Sequence, residues 1–156
     1  MTVGVATCPP ETPLAQVARL LVENALEALV VLDPEEGHAL GVVGQDELVR
    51  AYHHAGAREL TAAQAMREGV PQCPADIPLA AAAQLMLDQG VRILFMMHHS
   101  GGVEYPAASI AYRHILRHLA AENEEDLKDL GMHARRVSPR DAFIQRREEA
   151  RRRNTG

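Results

Sequence analysis

The chain contains itself twice. Cys8–Leu32, CPPETPLAQVARLLVENALEALVVL, has a near-copy 65 positions downstream in Cys73–Met97, CPADIPLAAAAQLMLDQGVRILFMM. Cys8 matches Cys73, Pro9 matches Pro74, and Pro13-Leu14 matches Pro78-Leu79. Ala18, Leu20 and Leu29 match Ala83, Leu85 and Leu94. A fixed period of this kind means one supersecondary unit laid down twice, each with a face it cannot bury alone. Two such units pack face to face.

Both copies predict the same local structure. Pro13 and Pro78 are expected at the first position of a helix, where the missing N–H costs nothing. Thr12 is the expected N-cap of the first. Leu14, Val17, Ala18, Leu21 and Ala25 recur at helical spacing, as do Leu79, Ala82, Ala83, Met86 and Leu87. These predict helices over 13–24 and 78–89. The apolar runs that follow, Leu29–Leu32 and Ile93–Met97, suit strands buried on both faces and predict strands over 28–32 and 92–97. Asp33-Pro34-Glu35-Glu36-Gly37 and Ser100-Gly101-Gly102 are turns, with return strands near 39–43 and 104–110. Beyond the second turn the offset between copies grows to 67, and Pro106 predicts an edge or a bulge in its strand. Helices over 45–54 and 112–121 close the two units. Weak strands near Val3–Val5 and Val70 lead into them, and a linker helix over 58–68 joins them.

The predicted fold is α/β, with two pseudo-twofold-related β-α-β-β-α repeats. Repeat one spans 1–57, and the linker helix with repeat two spans 58–121. A charged helical tail follows over 122–156, marked by Gly131 as a helix stop and Ser138-Pro139-Arg140-Asp141 as a new start. The core must be built from Ala, Leu, Val and Met, because aromatic residues are 3% of the chain and Trp is absent.

Composition narrows the function classes. No apolar run approaches the ~20 residues that cross a bilayer, and no charged n-region with an apolar h-region opens the chain. The two cysteines stand at matching repeat positions, which fits reduced thiols in a cytoplasmic protein. Residues 1–120 hold 7 basic and 13 acidic side chains, so the body is a poor surface for nucleic acid. The Arg146–Arg153 block alternates with Glu148-Glu149 and reads as a solvated helix. No nucleophile–base–acid arrangement and no phosphate-cradling glycine loop is present, so no catalysis is expected.

The doubled order resembles the CBS (cystathionine-β-synthase-type) domain pair, or Bateman module. The residues that carry the resemblance in copy one are Cys8-Pro9, Leu14, Ala18, Leu29-Val30-Val31-Leu32-Asp33 and Gly41-Val42-Val43. In copy two they are Ala65-Met66, Val70, Pro74, Leu79, Gly90-Val91-Arg92-Ile93-Leu94 and Ser109-Ile110. It covers about residues 1–120. The resemblance implies a non-catalytic regulatory module that binds an adenine nucleotide (AMP, ADP or ATP) or S-adenosylmethionine between the repeats, with no metal required. It also implies a Ser/Thr-x-x-Asp motif at the start of each repeat's last helix, its carboxylate on the ribose and its hydroxyl near phosphate.

This chain departs from that motif. Copy one has Gly44-Gln45-Asp46-Glu47, and copy two has Ala111-Tyr112-Arg113-His114. By the resemblance, one site combines Arg67, Val91 and Arg92 with Val42, Gly44 and Glu47. It keeps a carboxylate for ribose and two guanidinium groups for phosphate. The other combines Leu26 and Glu27 with Ser109, Ala111 and His114. It lacks the carboxylate, and Glu27 repels phosphate. At most one usable nucleotide site is therefore expected.

Two other readings stand beside this one. The first is a ligand-free assembly module with decayed sites, a homodimer through its helices, where Ala80–Ala83 permit close approach. In either case a separate regulated protein is the expected partner. The second is a histidine metal site on His114 and His118, which share a helix face at i,i+4. No His-Glu-x-x-His pattern supports it. Glu47 near a helix start also stabilises the helix dipole without any ligand.

Overall fold

The structure is a computed structural model that describes residues 2–123 and residue 147. The tail expected over 122–156 therefore lies almost wholly outside the described residues.

Repeat one begins with β1 (Thr2–Val3) and β2 (Thr7–Cys8), then α1 (Leu14–Glu23), β3 (Ala28–Leu32), β4 (Ala39–Gly44) and α2 (Gln45–Ala51). A 3-10 turn (Ala57–Glu59), α3 (Ala62–Ala65) and β5 (Arg67–Glu68) lead into repeat two. Repeat two contributes α4 (Leu79–Gln89), β6 (Ile93–Ser100), β7 (Val103–Ala111) and α5 (Tyr112–Ala120).

The strands form two sheets that exchange their edges. One sheet has the order β2-β3-β4-β5, the other β1-β7-β6. β1, first in the chain, pairs antiparallel with β7 of the second repeat, Thr2 opposite Ser109. β5, which enters the second repeat, pairs antiparallel with β4 of the first, Val42 opposite Arg67. Gly41 permits this second exchange. A Cβ there would collide with the Arg67 carbonyl oxygen and lie 2.9 Å from the Met66 sulfur.

The repeat found in the sequence is a repeat of register. Thr7 pairs with Val30, and Gln72 bridges to Phe95 in the same parallel sense. Ala28 faces Gly44, and Ile93 faces Ala111. Each hairpin slips register once, between Val31 and Leu32 and between Met96 and Met97. The second slip sets Met97 against Pro106, so that the proline falls beside a bulge, where its missing N–H breaks no regular ladder. Gly101 and Gly102, at φ +57 and +78, make the tight turn that joins β6 to β7.

Burial follows the same duplication. Leu14, Val17 and Leu21 of α1 pack with Leu29, Val31 and Val43. Ala82 and Met86 of α4 pack with Leu94, Met96 and Ile110. A third cluster belongs to both repeats and contains Val5, Ala28, Val30, Val42 and Phe95, with Val70, Ile93 and Met97 against it. Val30 and Phe95 are equivalent positions, and both are fully buried. This seam joins the two halves.

Three local expectations need correction. The helices begin at Leu14 and Leu79, with Pro13 and Pro78 as extended N-cap residues. Pro13 bridges to Thr61 and the Leu14 N–H donates to the Leu60 carbonyl at 2.8 Å, which holds the chain extended there. Thr12 caps nothing, because its hydroxyl donates to the Pro9 carbonyl at 2.8 Å. The linker is not one helix. Leu60 and Met66 adopt ψ of 147 and 149, and Thr61 opens α3 with a reciprocal capping box to Gln64.

Candidate functional site

The strand exchange builds a cleft where the end of β4 and the start of α2 meet the turn between α4 and β6. Its walls include Val42, Gly44 and Glu47 from repeat one and Arg67, Val91 and Arg92 from repeat two. All six residues expected at the preferred site therefore line one cavity. β5 brings Arg67, because that residue is paired to Val42 in the sheet. The left-handed Gly90, at φ +64, ends α4 and turns the chain so that Val91 and Arg92 follow at the cleft wall.

Several lining residues were not anticipated. Gln45, Asp46, Arg50, Pro71 and Ile93 also face this cavity, as does Glu27. Glu27 had been expected at the second site. Its carbonyl accepts from the Gln45 N–H at 3.3 Å, which fixes the start of β3 beside the start of α2 and places Glu27 here. The wall thus carries Glu27, Asp46 and Glu47 against Arg50, Arg67 and Arg92.

Glu47 has structural work of its own. Its Oε2 accepts from the Gly44 N–H at 2.9 Å, and its Oε1 lies 3.9 Å from Arg50 Nη1. The first contact satisfies a donor that the helix leaves orphaned. Arg92 is exposed, with its guanidinium carbon 5.8 Å from the centre of the Tyr112 ring, a cation–π arrangement. The cleft is small, about 70 Å³. A larger groove of about 400 Å³ runs between α1 and α2 on the outer face, lined by Leu14, Ala18, Val22, Leu48 and Tyr52. That groove shares no lining residue with the charged wall, and Arg19, Glu23 and Arg58 stand among its apolar side chains.

The remaining residues of the second set are dispersed or enclosed. Leu26 packs against the core of repeat one. Ser109 is buried within β7, between Thr2 and Phe95, and Ala111 is fully buried at the start of α5. His114 occupies the place in α5 that Glu47 occupies in α2. Its Nδ1 accepts from the Ala111 N–H at 2.8 Å, as Glu47 accepts from Gly44. Burial, and then the positive charges around it, hold its pKa down to about 4. Arg113, one residue earlier, donates to the Ala25 carbonyl of repeat one at 3.0 Å. The equivalents of Arg113 and Ala25 are Asp46 and Gly90, both of which line the open cleft. A guanidinium bridge therefore stands where the pseudo-twofold would place a second cleft.

His118 is exposed, and His114 commits Nδ1 to the backbone. Among the described residues no three His, Cys, Asp or Glu side chains gather as metal ligands. Cys8 and Cys73 are free and buried, with burial the first cause that pushes each thiol pKa up. Among the described residues no helix is long and apolar enough to cross a membrane.

Comparison with known proteins agrees with this architecture. Residues 1–54 match the family model described as the CBS domain. A CBS-domain containing protein from Agrobacterium tumefaciens superposes with a TM-score of 0.65 at 21% identity, over 75% of this chain and 90% of that one. This is a tandem CBS-domain fold. CBSX2, solved in complex with AMP, is similar at a TM-score of 0.61 and 20% identity, over 77% of this chain and 92% of that one. The CBS domain pair of protein MJ0100, solved with 5'-methylthioadenosine and S-adenosyl-L-methionine, is similar at 0.65 and 15%, over 77% and 91%. No curated protein matches the chain.

Proposed function

We propose that the chain is a non-catalytic regulatory module that takes one adenosyl ligand in the cleft between its CBS repeats. The observation that carries this reading is the convergence of Val42, Gly44, Glu47, Arg67, Val91 and Arg92, from both repeats, on one cavity. Val42 and Val91 supply apolar contact for a base, Glu47 an acceptor for hydroxyls, and Arg67 and Arg92 cationic donors for an anionic tail. The AMP and S-adenosyl-L-methionine complexes of CBSX2 and MJ0100 lend support by analogy of fold.

The size of the cleft adds a physical requirement. Pockets for ligands of this size measure ~300–1,000 Å³, against about 70 Å³ here. Binding must move the exposed Arg67 and Arg92 side chains or part the repeats. A ligand shifts that arrangement only by its differential affinity for the open and closed states.

Calorimetric titration of the full chain with AMP, ADP, ATP and S-adenosylmethionine tests the proposal. One site per chain is expected, weakened about tenfold or more in Arg92→Ala, the scale of one lost charge-assisted contact. Two equal sites, or no binding by any of the four, overturn it.

A second reading, assembly through the helices, has an observation of its own. Val22, Val49 and Tyr52 of repeat one are exposed at positions equivalent to the exposed Leu87, Leu116 and Leu119 of repeat two, and all six are at least 63% accessible. Apolar side chains repeated on two pseudo-equivalent faces suit a homodimer. The mass of the full chain in solution, with and without Val49→Glu, checks it.

A further inference from the structure

The charge on the cleft wall is balanced, and one member of that balance is out of place for a phosphate site. Glu27 and Arg92 occupy equivalent positions, each one residue before the first strand of its repeat's hairpin, and both line the same cavity. A pseudo-twofold that kept its charge would set two cations there. This chain sets a cation and an anion. Asp46 adds a second carboxylate, while Glu47 is already engaged by the Gly44 N–H and faces Arg50. Arg67 and Arg92, which carry guanidinium groups, thus share the cavity wall with Glu27 and Asp46, which carry carboxylates. Glu27 is only half-exposed, so solvent and salt screen it less than a surface carboxylate.

We infer that Glu27 is a specificity-determining residue, which makes the cleft reject polyphosphate and favour an adenosyl ligand whose tail carries a cation beside its anion. The inference rests on the adenosyl reading of this cavity. A triphosphate brings several negative charges to a wall with no net positive charge, and each meets Glu27 and Asp46 as well as the arginines. A tail with an amino-acid zwitterion and a cationic sulfonium matches both signs at once. Discrimination of this sort comes from a repulsive element built against the wrong ligand. Glu27 is that element; its backbone carbonyl accepts from the Gln45 N–H, which holds this residue at the cavity wall.

The test is a competition of affinities measured by calorimetry on the full chain, with S-adenosylmethionine, AMP and ATP as probes. The native chain is expected to bind S-adenosylmethionine tightest and ATP weakest. Glu27→Gln keeps the side chain's size and removes its charge. The ratio of S-adenosylmethionine to ATP affinity should fall about tenfold or more in that variant, the effect of one nearby charge at intermediate dielectric. Glu36→Gln, on the exposed β3–β4 turn, controls for net charge and should leave the ratio unchanged. If ATP binds the native chain more tightly than S-adenosylmethionine, or Glu27→Gln moves the ratio no more than Glu36→Gln, the inference is overturned while the adenosyl site stands. If none of the probes binds, the site itself is refuted and the inference falls with it.

Discussion

The two repeats place different chemistry on the same scaffold. In both, the third residue of the last helix reaches back to the N–H of the residue that caps it, at 2.9 Å from Glu47 to Gly44 and 2.8 Å from His114 to Ala111. In repeat one that residue is a carboxylate with Arg50 nearby at the rim of a cleft. In repeat two it is a buried imidazole, held neutral at physiological pH, next to an arginine that ties the halves together. The backbone device is retained while the ligand chemistry is not. A motif read only as ligand-binding therefore hides a capping role, and the capping role alone accounts for an acceptor at each position.

The largest test of this comparison concerns what the repeats share. Phe95→Ala empties the centre of the seam between the sheets and should cost about 3–5 kcal/mol by chemical denaturation. A loss below about 1 kcal/mol would mean that the halves do not depend on a common core.

Acid should then separate the repeats. His114 titrates near 6.5 when unfolded and at about 4 when folded. The unfolded chain binds the proton more readily between those values, so stability is full above pH 6.5 and declines as pH falls toward 4. That difference corresponds to about 3 kcal/mol at most. In His114→Gln, which can still accept from the Ala111 N–H, thermal denaturation should lose this part of its pH dependence. An unchanged pH profile would place the acid sensitivity elsewhere.

Two smaller effects sharpen the contrast further. Gly41→Ala pushes a methyl group against the Arg67 carbonyl and should destabilise by about 1–3 kcal/mol. It should also weaken ligand binding, because β5 carries Arg67 to the cleft; full affinity in a folded variant would disconnect strand exchange from the site. Arg113→Ala removes the bridge to Ala25 and should cost no more than about 1 kcal/mol. Its value lies in titration, where a second adenosyl site appearing in the variant would show that the arginine, rather than His114, closes the other cleft.

The sequence was most readable where a residue's surroundings are local or duplicated. β3 was found to the residue, because four of its five positions are buried and so read as an unbroken apolar run. The hairpin slip at Pro106 was visible because proline cannot supply the missing N–H. The linker was misread as one helix although Thr61 and Gln64 form a capping box that marks a fresh start at Ala62. Glu27 could not be placed correctly from spacing. Its location is set by a contact to Gln45 across the hairpin, and position along a strand does not say which side of a pseudo-twofold a residue will line. The role of His114 was equally hidden, since an imidazole accepting from a backbone N–H leaves no spacing signature.

The crossed-over edge strands have a consequence for how such a molecule arises. Repeat one alone, residues 1–57, would own β1 but not the β7 it completes, and would offer β4 with nothing in the place of β5. It could finish its sheets only by lending and borrowing strands with an identical twin. Fusing two such twins end to end turns a concentration-dependent embrace into an intramolecular one, and frees the copies to diverge, as Glu47 and His114 have done.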